Sequence, residues 1–272
     1  MSDDPEYEAV EGLGVELDGA VLRFSLDRPD KRNAVNDSIM VAMSDTLDRA
    51  AQDERVRAVV IEGAGDHFCG GADIVARNAP GGERPRVGSI QRRVPATAHR
   101  LIPTILNVQI PVVCRVQGWA AGIGMQFALA ADFAVCAEDA RLWEPFVARG
   151  FTPDSGATWL LPRAVGLVRA RRLLLLGEPM TGLEAADAEL VHQAVPTAEL
   201  DGAVADLVDR LAGGPTVALG LTKRLLHDGQ SNDLETHLHD EVLALELSSR
   251  SEDFREGLAA FRDKRDPQFR GR

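Results

Sequence analysis

The stretch from Pro111 to Cys136 restricts the fold more than any other part of the chain. It is the most apolar run, yet it carries Arg115, Gln126 and Asp132, and glycines at 118, 122 and 124 interrupt it. A membrane span needs roughly 20 predominantly apolar residues, so this run reads as buried strand, tight turn and helix in succession. Pro111 to Val116 has the length of a buried strand, an apolar helix is expected near Met125 to Ala131, and Ala134 to Ala137 is a further strand. Strands alternating with helices indicate an α/β domain.

The flanking sequence extends the same pattern. Val15 and Leu17, then Asp18-Gly19, then Leu22, Phe24 and Leu26 alternate about a two-residue turn, the mark of a hairpin. Ile39, Met43, Leu47 and Ala50 recur at helical spacing, and Val56 to Ile61 is a short strand-like run ending at Gly63. Ala76 to Arg92 is rich in Gly, Pro and Arg and reads as a loop. After about residue 197 the strand signals stop. Three helices follow, marked by Val204, Leu207, Val208 and Leu211, by Leu234, Leu238, Val242 and Leu245, and by Phe254, Leu258 and Phe261. The expected organisation is a core over 1–197 that carries the site, then a helical region over 198–272.

Several function classes are disfavoured. The 272 residues carry a net charge of −12, which repels nucleic-acid phosphates over most of the surface. Cys69, Cys114 and Cys136 are odd in number and far apart, with neither a disulfide framework nor metal-ligand spacing, and this suits a reducing cytoplasm. The acidic start, MSDDPEYEAVEG, does not read as a signal or transit peptide. The histidines, at 67, 99, 192, 227, 237 and 239, form no metal set.

Two small-residue turns, Gly70-Gly71-Ala72 and Gly122-Ile123-Gly124, read either as plain tight strand-to-helix turns or as places where backbone donors meet a ligand. Backbone N–H groups can approach a ligand closely only where side chains are small. The second turn also opens onto a helix, whose N-terminus carries partial positive charge. A dinucleotide fingerprint fits less well, because no third glycine follows Gly122 and Gly124 at the required spacing.

Four segments in order resemble the crotonase (enoyl-CoA hydratase/isomerase) family over roughly residues 15 to 270. They are Leu26 to Val35 (LDRPDKRNAV), His67 to Ile74 (HFCGGADI), Val116 to Gly124 (VQGWAAGIG) and the tail from Glu252 to Phe269. The resemblance implies a spiral of stacked β-β-α turns with a C-terminal helical trimerisation region, assembling as trimers or dimers of trimers. It implies an acyl-CoA thioester substrate, with coenzyme A arriving as part of that substrate, and no metal, redox cofactor, nucleic acid or membrane partner. By the same resemblance, the N–H groups of Ala72 and Ile123 hold the oxygen of a thioester enolate. Many relatives have Gly or Ala where Ile123 stands. Arg32, Ala34, Gly70, Asp73 and Ile74 are expected along the adenosine and pantetheine path, and Lys264 is expected to reach the CoA phosphates.

The carboxylate count bears on the reaction. The family's hydratases use two glutamates, and alignment through the glycine turn and through Pro145 puts Gln126 and Phe146 at those positions. An amide orients water but exchanges no proton at neutral pH, and a phenyl ring does neither. Glu144 lies two residues before Phe146, about 6.5–7 Å in extended chain, too far to serve the same atom. It is expected at the surface or behind the reacting groups. Asp154, in GFTPDSGATWLLPR, resembles the proton-shuttling acid of the enoyl-CoA isomerases, with capping of the Pro153–Ser155 turn as its plain structural role. Trp143, Phe146, Phe151 and Trp159, if they face Asp154, would desolvate it and raise its pKa. His99, on a helix expected to border the acyl pocket, matches a histidine of the acyl-CoA dehalogenases. Asp132 is expected to end the apolar helix. Three readings stand: an isomerase using Asp154, a hydratase in which Asp154 activates water that Gln126 positions, and a non-catalytic scaffold.

Overall fold

A computed structural model describes residues 7–73 and 86–272. Ile74 and most of the Ala76 to Arg92 loop therefore lie outside the described residues. The first strands, β1 (Leu13–Asp18) and β2 (Val21–Leu26), form the expected hairpin, with Asp18 opposite Val21 across Gly19-Ala20. Helix α1 (Asp37–Ala50) begins where the Asn36 side chain accepts the Ile39 N–H, and it buries the predicted stripe of Ile39, Met43, Leu47 and Ala50. Strand β3 (Ala58–Gly63), short helix α2 (Ser89–Arg93) and α3 (Ala98–Asn107) follow.

The apolar run and the chain that follows it fold as two β-β-α turns. Strand β4 (Val112–Val116) leads to β5 (Trp119–Ala121) and α4 (Ile123–Ala130). Strand β6 (Phe133–Ala137) leads to β7 (Arg141–Trp143) and, after a loop, to α5 (Ala157–Arg171). Strands β8 (Met180–Thr181) and β9 (Gln193–Val195), with α6 (Gly182–Asp187) between them, complete two sheets. The larger has the order β1-β2-β3-β4-β6-β9, parallel from β2 onward, and the smaller has the order β5-β7-β8. Strands buried on both faces need the continuous apolar runs seen in Val112 to Cys114 and Ala134 to Ala137.

Beyond β9 the chain is helical. Helix α7 (Leu200–Ala212) lays Val204, Leu207, Val208 and Leu211 onto β3, β4 and β6. Burying each of these side chains contributes about 1.5–3 kcal/mol. Helix α8 (Thr216–Asp228) sends Lys223 inward, where its Nζ meets Asp132 at 2.8 Å and donates to the carbonyls of Ile105 and Ile110. Asp132 stands one residue past the Ala131 C-cap of the apolar helix; rather than capping that helix, it accepts the Val112 N–H and ties α8 to the core. Helices α9 (Leu234–Ser248) and α10 (Glu252–Asp263) leave their predicted stripes bare, with Val242 62% and Phe261 86% exposed. Among the described residues no helix is long and apolar enough to cross a membrane.

Candidate active site

Two segments run side by side and end on one cavity. The Phe68 N–H donates to the Gln117 carbonyl at 2.7 Å, the Cys69 N–H to that of Trp119 at 2.8 Å, and the Ala121 N–H to that of Cys69 at 2.9 Å. On its other side the first segment bridges Val35, which takes the Asp73 N–H and donates to the Gly71 carbonyl. A parallel bridge of this kind uses the groups flanking Ala72 and leaves the N–H of Ala72 itself facing away. Ile123 opens α4, so its N–H has no acceptor within the helix. Among the described residues neither N–H has an acceptor.

Each of these two residues follows a glycine in a backbone conformation that L side chains rarely adopt. Gly71 has φ 105°, and Gly122 has φ 53° with ψ −124°. Ala72 and Ile123 both line a cavity of about 480 Å³. The Gly122 N–H donates to the Trp143 carbonyl at 2.9 Å, which seats the start of α4 on β7.

The opposite wall is built from turns. After β7 the chain passes Pro145 and Phe146, a 3-10 turn at Val147–Arg149, and reaches Asp154. Phe146 meets Phe151 edge-on at 5.5 Å, and both line the cavity. Asp154 lines it too, and is the only carboxylate to do so among the described residues; Arg93 and Arg149 are the other charged groups there. Ser155, buried and at φ 53°, donates its hydroxyl to Asp154 Oδ1 at 2.9 Å, and the Asp154 carbonyl takes the Ala157 N–H. The capping role and the cavity position therefore coexist.

The expected desolvation of Asp154 is corrected. Asp154 is exposed, and only two of the four aromatic residues share its cavity. Trp143 packs on Trp119 and donates its indole N–H to the Gly177 carbonyl, while Trp159 lies under the Arg163 guanidinium at 3.9 Å. Sequence proximity does not fix which way a ring faces.

His99 is also corrected. It is exposed on α3 and lines two other grooves, one with Arg100 and Asp48 and one with Trp159, but not this cavity. Glu144 is not at the surface. It is 1% exposed and accepts from Gln126 Nε2 at 2.5 Å, so the two residues form a buried pair that does not line the cavity. Burial pushes the Glu144 carboxyl well above the ordinary carboxylate range, the Gln126 bond opposes this, and the Asp154 charge reinforces it. Phe146, by contrast, sits in the cavity wall as a closed apolar surface.

The residues expected along the CoA path hold the first turn together. Arg32 accepts the Gly70 N–H at its carbonyl and leaves its side chain exposed. The Asp73 carboxylate pairs with Arg28 at 2.8 Å and Lys31 at 3.8 Å. Arg28 also donates to the Ala34 carbonyl at 2.7 Å. Buried Asn33 ties this turn to Ala64 and His67 through its amide and accepts the Arg28 N–H. Sequence reasoning missed Arg28 and Asn33 as supports, although both stand in a quoted motif. It also missed Met40, Ile90, Val94 and Thr97, which line the cavity and belong to no motif. Lys264 is exposed at the end of α10, away from the cavity wall.

The profile of the family described as enoyl-CoA hydratase/isomerase matches residues 16–272. The 1,2-epoxyphenylacetyl-CoA isomerase of Escherichia coli (strain K12) is 36% identical over 258 residues, 94% of this chain and 97% of that protein. A probable enoyl-CoA hydratase of Rhodobacter capsulatus is 35% identical over 266 residues, 98% of this chain and 97% of that protein. Among solved structures, a putative enoyl-CoA hydratase from Streptomyces coelicolor A3(2) superposes with a TM-score of 0.90 at 32% identity, covering 100% of this chain and 98% of that one. The enoyl-CoA hydratase from Bacillus anthracis gives 0.89 at 28% identity, covering 96% and 100%.

Proposed function

This chain belongs to the enoyl-CoA hydratase/isomerase family and has the crotonase fold, and on that footing we propose that it is an enoyl-CoA isomerase with Asp154 as its proton shuttle. One observation carries the reading: among the described residues a single carboxylate shares the cavity with the two free amides, while the hydratase glutamate positions hold a phenyl ring and a buried amide.

The steps balance with one base. The Asp154 carboxylate takes a proton from C2 of a 3-enoyl thioester, and the C–H electron pair moves into the carbonyl. The resulting dienolate oxygen rests on the N–H groups of Ala72 and Ile123, where each donor is worth roughly 2.7–4 kcal/mol of barrier. Asp154 then returns the proton at C4, which leaves the 2-enoyl thioester and regenerates the carboxylate. The solvent-accessible carboxylate suits this role, since it must reach two carbons in turn.

Coenzyme A enters as part of the substrate, and Arg32, Ala34 and Lys264 are proposed along its path. The bare stripes of α9 and α10 support assembly as a homotrimer or dimer of trimers, because apolar faces this large are normally covered. The free, buried cysteines fit a cytoplasmic setting.

The test is a paired assay of wild type and Asp154→Asn on 2-enoyl- and 3-enoyl-CoA. Conversion of the 3-enoyl thioester that disappears in Asp154→Asn supports the reading. Rapid hydration of the 2-enoyl thioester, unchanged in Asp154→Asn, overturns it.

A further inference from the structure

Behind the cavity lies a carboxyl that the double-bond shift does not use. Glu144 follows β7 and is 1% exposed; Gln126 stands one turn into α4 and is fully buried. One hydrogen bond joins them, from Gln126 Nε2 to Glu144 Oε1. The other two oxygens of the pair, Gln126 Oε1 and Glu144 Oε2, are buried without a partner among the described residues. An ionised carboxylate and an amide carbonyl only accept, so an ionised Glu144 leaves both atoms unmade in the interior, a costly state. A protonated carboxyl removes both faults at once. Its O–H would donate to the amide oxygen while its other oxygen keeps the amide N–H, so that the pair would close a ring of two hydrogen bonds.

The ring would span the two elements that orient one anion donor. Ile123 is the first residue of α4, three before Gln126, and Trp143, whose carbonyl takes the Gly122 N–H, immediately precedes Glu144. We propose that Glu144 is a positioning residue for the Ile123 donor: paired with Gln126 through two hydrogen bonds, it fixes the first turn of α4 on the end of β7 and so aims that amide at the thioester oxygen. This rests on Ile123 being a donor, but not on Asp154 being the base. The strong upward push of burial on the Glu144 carboxyl is in keeping with it.

The experiment compares full-length wild type, Glu144→Gln, Glu144→Leu and Gln126→Met by steady-state turnover of enoyl-CoA and by hydrogen exchange at the Met125 and Gln126 amides, which bond the Gly122 carbonyl. Glu144→Gln keeps the ring as an amide pair, so kcat is expected within about threefold of wild type, with wild-type exchange. Glu144→Leu and Gln126→Met open the ring, so kcat is expected to fall about 100-fold with KM little changed. Exchange at the two amides should quicken about tenfold. Collapse of kcat in Glu144→Gln with normal exchange makes Glu144 an acid–base group and overturns the proposal. So does unchanged kcat in either ring-opening variant. If the ring-opening variants do not fold, Glu144→Gln alone decides. Asp154→Asn is run alongside: full activity there sinks the isomerase reading while the ring's own pattern still stands.

Discussion

The two walls of the cavity are built by opposite means. The donor wall is strand and helix: bridges through Val35, Cys69 and Ala120 hold it, and Cys69, Ala120 and Ile123 are almost wholly buried. The acid wall, from Pro145 to Ser155, is a succession of turns in which Asp154 and Phe151 meet solvent. The difference suits the tasks proposed for the two walls. Backbone dipoles stabilise a developing charge only if they are already aimed, because reorganisation would consume the gain. A carboxylate that serves two carbons must instead retain some freedom. The same contrast separates two carboxyls: Glu144, buried and held towards its neutral form, and Asp154, exposed in the cavity wall and the acid of the proposed reaction.

The harshest way to break this contrast is to remove the exposed acid. Asp154→Asn should cost about 100- to 10,000-fold in kcat with KM for the enoyl-CoA near wild type, read by steady-state kinetics. The donor wall is probed next by Gly122→Ala, which forces a Cβ onto a backbone at φ 53° and ψ −124°. Turnover should fall about 100-fold as the Ile123 N–H is turned aside, and the melting temperature should drop, because the strain is about 1–3 kcal/mol. A wild-type rate here would mean that the amide is not used.

The contrast between the carboxyls is sharpened by pH. The folded protein holds the Glu144 proton to higher pH than an unfolded chain, where the group ionises near 4.5. Its contribution to stability is therefore fully present below that value and is lost as pH rises towards the folded one. Asp154 is the charged group acting on it, and Gln126 is its facing partner. The melting temperature of Glu144→Gln relative to wild type should rise as the pH is raised above about 4.5. A gap that does not change with pH contradicts the assignment. The smallest effect is expected at His99, which faces other grooves: His99→Ala should leave turnover within about twofold.

Much of this was legible in the sequence, and the parts that were not share a cause. The first hairpin (its turn at Gly19-Ala20, one residue beyond the Asp18-Gly19 pair that the sequence marks), the α1 stripe and the strand–turn–helix of 111–131 follow from periodicity and turn residues, which are local. So does the small-residue character of the two donor turns. Side-chain direction is not local. The rings of Trp143 and Trp159 turn away from Asp154, His99 faces outward from α3, and Glu144 meets Gln126 across 18 residues of chain. The bare stripes on α9 and α10 teach a related point. Their spacing marks an apolar face correctly, but it does not say whether that face is covered within one chain, as on α7, or left open.

The most direct test follows hydrogen itself. The protein is incubated with a 3-enoyl-CoA in deuterium oxide, and the product's mass and label positions are read. The account predicts a 2-enoyl-CoA with no water added and deuterium at C4, since an exposed Asp154 exchanges its proton with solvent before returning it; both should vanish in Asp154→Asn. A hydrated product, or a shifted double bond that forms equally well without the Asp154 carboxylate, would contradict it.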